Sequence, residues 1–480
     1  MHKTVSIFQL NDTHANLFEH GDVRYTQHGL SVQTVGGYAR IKTKINEYRE
    51  RYRDELLVLD NGDTLHGTHE AIESKGAVMI PYLQSLGVNA MTFHWDAAYS
   101  LPHLAAFEAK LGYPILAANV YRENTRNRLF KPSAVFAVNG ATVGVIGLAS
   151  NIIRKNMPRV FWEGADFTDG IEEAREQVQY LRGQDVDLIV LLSHLGYPQD
   201  IELLKQVDGI DLCLSGHTHN RVRKPPRIGN ALIMQSGALA SSVGFIRLTI
   251  ENRRIASFEH TYITLDASVP EDKSIEDRLA HDDILNQYRA HLDTVVGTST
   301  LDLHRGSSFY GSMDYLLLDA MRHATKLPIA FSNGWRYGGA VAKGNLTRRD
   351  LYAIVPMNPP LRTAELTGSE IAKLLEDNLE STFATSPFKQ MGGYIKRNSG
   401  LKVYFKIENP YGQRIQRIFT EEGELDPDRT YTVAYVTVQA VPAAVGRNHK
   451  EMNIRAIEAM EALLAVEPYS RSDLESYIPV

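Results

Sequence analysis

From residue 1 to about 248 the chain alternates short apolar runs with stretches whose hydrophobic positions recur at helical spacing. Runs at 5–10, 56–59, 141–148, 188–192 and 210–214 have the length and aliphatic content of buried strands. Between them, 72–86 and 169–182 predict helices, the second placing Ile171, Ala174, Val178 and Leu181 on one face. Alternation of this kind predicts an α/β domain, a mixed sheet with helices outside. Strands at 245–250 and 262–265 close it, which puts the first domain at 1–265.

Residues 274–292 predict one charged helix with Ile275, Leu279, Ile284, Tyr288 and Leu292 as its apolar face, inside a bridging segment 266–294. The second domain, 295–480, reads as α+β. A helix is expected at 312–323, another begins after a turn at 366–370 that Thr367 or Ser369 caps, and strands follow at 402–406 and 431–435. A chain of 480 residues exceeds what one hydrophobic core supports, so two domains are expected on length alone.

Composition narrows the function classes. The content is 43% hydrophobic and 22% charged, ordinary for a globular enzyme. A formal charge of -6 without a basic stripe argues against a nucleic acid polymer as partner. The single cysteine, Cys213, lies in an apolar strand and reads as a buried, inert thiol. No apolar run reaches about 18 residues, and residues 1–4 pass into the first strand with no apolar leader. A cytoplasmic protein with no membrane partner is expected, a trimmed exported form being the alternative.

The chemistry is concentrated in five short segments: Asp12-Thr13-His14, Asn61-Gly62-Asp63, His94-Trp95-Asp96, Ser193-His194-Leu195-Gly196 and Gly216-His217-Thr218-His219. Four of them follow a predicted parallel strand, which gathers carboxylates and imidazoles at the strands' C-terminal ends, the edge where open α/β sheets bind ligands. An isolated Asp-x-His or His-x-His is usually a surface or core pair. Five such segments in order read instead as the ligands of a two-metal hydrolase, with Asp63 bridging two divalent cations about 3.5 to 4 Å apart.

These segments resemble the two-domain 5'-nucleotidase family, which joins a calcineurin-like metallophosphoesterase sandwich to a C-terminal α+β nucleotidase domain. Residues 8–17 are similar to its opening strand and loop, 36–40 to the start of its first long helix, and 193–196 through 214–219 match most closely. Carried over by residue, the resemblance implies that Asp12, His14, Asp63 and His219 hold one metal and that Asp63, His194 and His217 hold the other, as Mn, Zn or Fe. It also implies hydrolysis of a phosphate monoester such as a nucleotide at the domain interface, by a metal-bridging hydroxide. In the second domain Asn333 and Arg336 match the family's polar substrate contacts, and Tyr394 is the remaining aromatic candidate for a substrate face.

The chain departs from the family at the third segment, where Phe93-His94-Trp95-Asp96 replaces Gly-Asn-His-Glu. The usual Asn ligand becomes His94 and the usual catalytic His becomes Trp95. His94 either completes the coordination shell or donates a proton to the leaving group; Trp95 reads as packing. His66, His69 and His103 match no ligand position and are read as solvated or hydrogen-bonded imidazoles. The stretches that carry the family's two base-stacking rings, 355–360 and 436–442, supply Met357 and no ring, while Trp335 and Tyr337 offer a different clamp around Arg336.

The His94-Trp95 pair resembles the thiosulfohydrolase branch of the family, whose members cleave sulfate from a cysteine-linked thiosulfonate. A thiolate leaves without the proton an alkoxide needs, and a general acid is typically worth about 10² to 10⁴ in rate. The expected function is therefore a dimetal hydrolase of 5'-nucleotidase type acting on a small phosphate ester, with a thiosulfohydrolase acting on a sulfonate ester as the alternative. A fold retained for binding without turnover is the third class.

Overall fold

The computed structural model describes residues 2–27 and 29–480, which form two compact units, 1–20 with 34–286 and 21–33 with 287–480. The segment 21–33 thus groups with the second unit although it lies inside the first in sequence. It forms the hairpin His20–Thr26 and Gly29–Val35, and Gly21 bridges to Ala340.

In the first unit the described strands build two main sheets, the sandwich that the family resemblance implies, where strand–helix alternation alone suggests a mixed sheet. One runs in the order Arg254–Thr264, Ser242–Glu251, Lys3–Leu10, Leu56–Asp60, Ala90–Met91, the last three parallel. The other places Ala231–Met234, Leu212–Ser215, Leu188–Ser193 and Ala141–Leu148 in parallel, with antiparallel edges at Arg227–Ile228 and Ser133–Val138. The residue alternation explains the pairing of faces. Val5, Ile7, Leu57 and Leu59 from one sheet and Val143, Val190, Leu192, Leu212 and Leu214 from the other share one apolar layer, while the alternate residues Phe8, Leu10 and Val58 pack outward beneath helices.

Two predicted helices are interrupted, each for a local reason. The 72–86 stretch becomes His69–Glu73, a turn at Ala77–Met79 and Ile80–Leu86, because Gly76 adopts φ 81° and Pro81 opens the last helix. The 274–292 stretch divides into Lys273–His281 and Asp283–Leu292: the Asp282 carboxylate accepts from the backbone N–H groups of Ile284 (3.0 Å) and Leu285 (3.1 Å), which starts a second helix.

The second unit's five-stranded sheet orders Tyr394–Ser399, Ile329–Gly334, Thr430–Tyr435, Pro360–Thr367 and Arg447–Arg455. Helix Gly368–Phe383 packs Ile371, Leu375 and Leu379 on it and is capped as expected: the Thr367 hydroxyl accepts from the Glu370 N–H while the Glu370 carboxylate accepts from the Thr367 N–H. The buried Asp314, on helix Ser312–Thr325, accepts from Arg305 Nε (2.7 Å) and Arg397 Nε (3.0 Å). Both guanidiniums spend further N–H groups on backbone carbonyls, of Tyr337 and Ile354 and of Ser307 and Ser308. Trp335 and Tyr337 are buried against Arg305 (5.6 and 5.4 Å to the ring centroids), so the expected clamp around Arg336 is instead built around Arg305, and Arg336 is half-buried between them in sequence.

Removing the shared carboxylate strands two buried cations. Asp314→Ala is expected to cost about 3–5 kcal/mol, read as a lowered denaturant midpoint for the second unit's transition.

Candidate metal centre

The five segments end five strands, and the structure brings all seven proposed ligand residues together. Asp12 and His14 follow Lys3–Leu10, Asp63 follows Leu56–Asp60, and His94 follows Ala90–Met91; His194 follows Leu188–Ser193, and His217 and His219 follow Leu212–Ser215. Within each of two groups the donor atoms lie within 4.8 Å of one another: Asp63, His94, His194 and His217 in one, Asp12, His14, Asp63 and His219 in the other. Asp63 belongs to both. Its Oδ2 is 3.2 Å from His94 Nδ1, 3.3 Å from His194 Nε2 and 3.7 Å from His14 Nε2, the placement a bridging carboxylate needs.

Hydrogen bonds on the far side of each ligand aim it. His194 Nδ1 donates to the Asn61 carbonyl (2.5 Å), which turns Nε2 toward Asp12 and Asp63, 3.4 and 3.3 Å away. His14 Nδ1 pairs with the His66 carbonyl (3.2 Å), leaving its Nε2 3.3 Å from His219 Nε2. Asp63 Oδ1 accepts from the Trp95 N–H (2.6 Å), and both Asp12 oxygens lie about the His217 N–H (3.1 and 3.0 Å). Five imidazoles and two carboxylates, nearly all fully buried, form a donor set suited to borderline divalent metals. The residues present therefore fit a pair of cations.

Two further residues frame the site without being ligands. Asn61 Nδ2 donates to the carbonyls of Ser193 (2.9 Å) and Leu214 (2.7 Å), and its Oδ1 accepts from Gln9 Nε2 (2.7 Å), so one amide ties three strand ends from both sheets. The Asp96 carboxylate accepts from four backbone N–H groups, those of Asp63 (2.8 Å), Thr64 (2.9 Å), Leu65 (2.7 Å) and His94 (3.3 Å). It folds the Asp63 loop over Gly62, where φ is 89° and any Cβ would meet the Thr92 carbonyl oxygen at 2.5 Å. Among the ligands, Asp12, His14, Asp63, His217 and His219 all hold φ between 47° and 69°.

Charge within the cluster is strongly coupled. Burial alone raises the Asp63 pKa, but His94, His194 and His14 hold the carboxyl well below the usual range. Burial likewise favours a neutral His194, yet Asp63 and Asp12 override it and push the imidazole up to about 10. His14 goes the other way, lowered by burial to about 4.

The other predicted positions lie elsewhere or differ from expectation. Asn333 and Arg336 are in the second unit, where Asn333 Nδ2 donates to Gln439 Oε1 (2.8 Å). Tyr394, expected in a loop, begins strand Tyr394–Ser399, half-buried with Arg397 5.4 Å from its ring centroid. His103 hydrogen-bonds the Lys75 carbonyl (3.0 Å), as expected. His66 does not follow: its ring is 1% exposed, stacked on Trp95 at 5.0 Å, with neither nitrogen hydrogen-bonded. Asp96 is within reach of the sequence as the remaining carboxylate of the third segment.

Residues 294–440 match the family model "5'-nucleotidase, C-terminal domain". The chain is 24% identical to the trifunctional nucleotide phosphoesterase YfkN of Bacillus subtilis (strain 168) over 90% of its own length, but spans only 31% of that protein. Among solved structures it is similar to the sulfate thiohydrolase SoxB of Thermus thermophilus (TM-score 0.92, 22% identity, 99% and 96% of the two chains). It is also similar to a 5'-nucleotidase precursor from the same species (TM-score 0.85, 23% identity, 99% of each chain). The site gathers two groups of side chains that could each hold a metal ion. The fold is the two-domain 5'-nucleotidase one, a calcineurin-like domain followed by a 5'-nucleotidase C-terminal domain.

Two outcomes follow from the wiring. Because the metal-free His194 carries a proton at neutral pH that a cation must displace, metal uptake is expected to release protons and to strengthen as pH rises toward 10, weakening as pH falls; calorimetry in buffers of different ionisation enthalpy measures this. Asp96→Asn replaces one acceptor oxygen by an N–H group facing N–H donors, and is expected to weaken metal affinity roughly 10- to 100-fold, the usual effect of losing a residue that orients ligands, as read by metal titration calorimetry.

Proposed function

We propose that the protein is a dimetal phosphomonoesterase of 5'-nucleotidase type, hydrolysing a nucleotide or a similar small phosphate ester. The observation that carries the reading is the pair of buried ligand groups sharing Asp63. Divalent cations bound there, Mn, Zn or Fe by donor type, supply water activation and neutralise charge on the ester oxygens. The chain's own part is to hold Asp63 among the imidazoles of His14, His94 and His194, to fix the rings of His14 and His194 through their outer nitrogens, and to keep the floor of the site dry. We assign His94 as a ligand, since its Nδ1 lies 3.2 Å from the shared carboxylate and 4.8 Å separates its ring centroid from that of His217.

Substrate recognition is assigned to the second unit, through Asn333, Arg336 and Tyr394. The base clamp expected of a nucleotidase is thin: Met357 and Val438, in the two stretches concerned, are exposed aliphatic side chains. A second reading rests on the third segment. Trp95 stands where the resemblance leads one to expect a proton-donating His, a loss that a thiolate leaving group tolerates and an alkoxide does not. Cleavage of a cysteine-linked thiosulfonate is that alternative.

One assay separates them. Nucleoside 5'-monophosphates and a cysteine thiosulfonate are supplied to the protein reconstituted with Mn; phosphate release is expected, falling at least about 100-fold with chelator and returning with metal. Sulfate release with no phosphate release selects the second reading. His94→Asn is expected to keep both metals with weaker affinity, whereas full occupancy with only a shifted pH profile assigns it as an acid instead.

A further inference from the structure

The loop from Ser215 to Asn220 carries one ligand of each metal group: His217 sits with Asp63, His94 and His194, and His219 with Asp12, His14 and Asp63. The distance between the two groups therefore depends on how this loop is folded. It leaves strand Leu212–Ser215 at once, and the histidines on either side of Thr218 both take left-handed backbone, with φ 69° and 58°. Non-glycine residues stay in that region where their surroundings over-determine them.

One side chain spans the loop. Gln235 follows strand Ala231–Met234, whose Met234 pairs in parallel with Leu214, so it lies level with Ser215, and it is fully buried. Its Nε2 donates to the Gly216 carbonyl (2.5 Å) and to the Ser215 hydroxyl (3.3 Å), while its Oε1 accepts from the Asn220 N–H (2.5 Å) and the Thr218 hydroxyl (3.1 Å). An amide has two donor hydrogens and two lone pairs, and all four are spent on this loop. Turning the amide over would set its oxygen against the Gly216 carbonyl, so its orientation is fixed too. The main chain adds a second tie: the Gln235 carbonyl accepts from the Val222 N–H (3.0 Å), and the Gly237 N–H donates to the Asn220 carbonyl (2.9 Å).

We propose that Gln235 is a positioning residue that sets the separation of the two metal ions, its amide holding the Ser215–Asn220 loop in the one conformation that sends His217 to one ligand group and His219 to the other. Gln235 touches neither group itself and acts through the loop. The inference rests on the two-metal reading of the site and adds to it the residue that ties the two halves together.

The test strips the full chain of metal with chelator, titrates it with Mn by calorimetry, and records the electron paramagnetic resonance spectrum of the loaded protein, for wild type, Gln235→Met and Thr218→Val. Two Mn ions about 3.5 to 4 Å apart on a shared carboxylate give an exchange-coupled spectrum distinct from that of separate ions. In Gln235→Met at least one Mn is expected to bind roughly 10- to 100-fold more weakly, the usual effect of losing a residue that orients ligands, and the coupled spectrum to give way to that of separate ions. Thr218→Val, which removes one of the amide's four partners, is expected to shift both readouts the same way by a smaller factor. The proposal is overturned by a Gln235→Met protein whose coupled spectrum is that of wild type, even with a lowered melting temperature, since Gln235 then only props the sheet. Should Gln235→Met not fold, Thr218→Val decides, and a wild-type spectrum with wild-type affinities there overturns the proposal equally. Wild type that binds fewer than two Mn sinks the two-metal reading itself, a result read without any variant.

Discussion

The whole site depends on one buried side-chain amide. Asn61 binds two carbonyls at the ends of Leu188–Ser193 and Leu212–Ser215 while accepting from Gln9 on the opposite sheet. Two sheets packed only through aliphatic side chains can slide, because apolar contact is non-directional. A fully satisfied amide cannot, since any shift leaves buried polar groups unpaired at about 1–3 kcal/mol each. The strand ends are thereby set at one spacing, and the ligands that follow them are set with it.

Upon that frame the cluster is electrostatically unfinished. Two carboxylates and five imidazoles are packed together in the interior, and at Asp63 and His194 the attraction between opposite charges overrides the burial that disfavours each. A cation bound there would take the place of the proton that this attraction holds on His194, so metal uptake and proton release are linked. Asp96 plays a complementary part, spending its charge on backbone N–H groups and so shaping the loop that carries the bridging ligand.

Much of this is readable from the chain alone. Asp12, His14, Asp63, His194, His217 and His219 each follow an apolar run, and strand periodicity places whatever comes next at a sheet edge; His94 is legible only from its place in the order of the five segments. What local patterns do not carry is partnership between distant segments. They do not say that Leu188–Ser193 joins a second sheet, or that residues 21–33 pair with Ala340. Nor do they distinguish an Asp that caps a new helix from one on a polar face, which is why Asp282 reads as helix interior.

The left-handed backbone of five ligands has a separate consequence. Asp and His, with Asn, are the non-glycine residues that tolerate this region best, while β-branched and bulky residues are outliers there. At positions 12, 14, 63, 217 and 219 the conformational demand and the coordination demand select the same short alphabet. Drift at these loops is therefore filtered twice, and a substitution acceptable to the cations can still be refused by the chain.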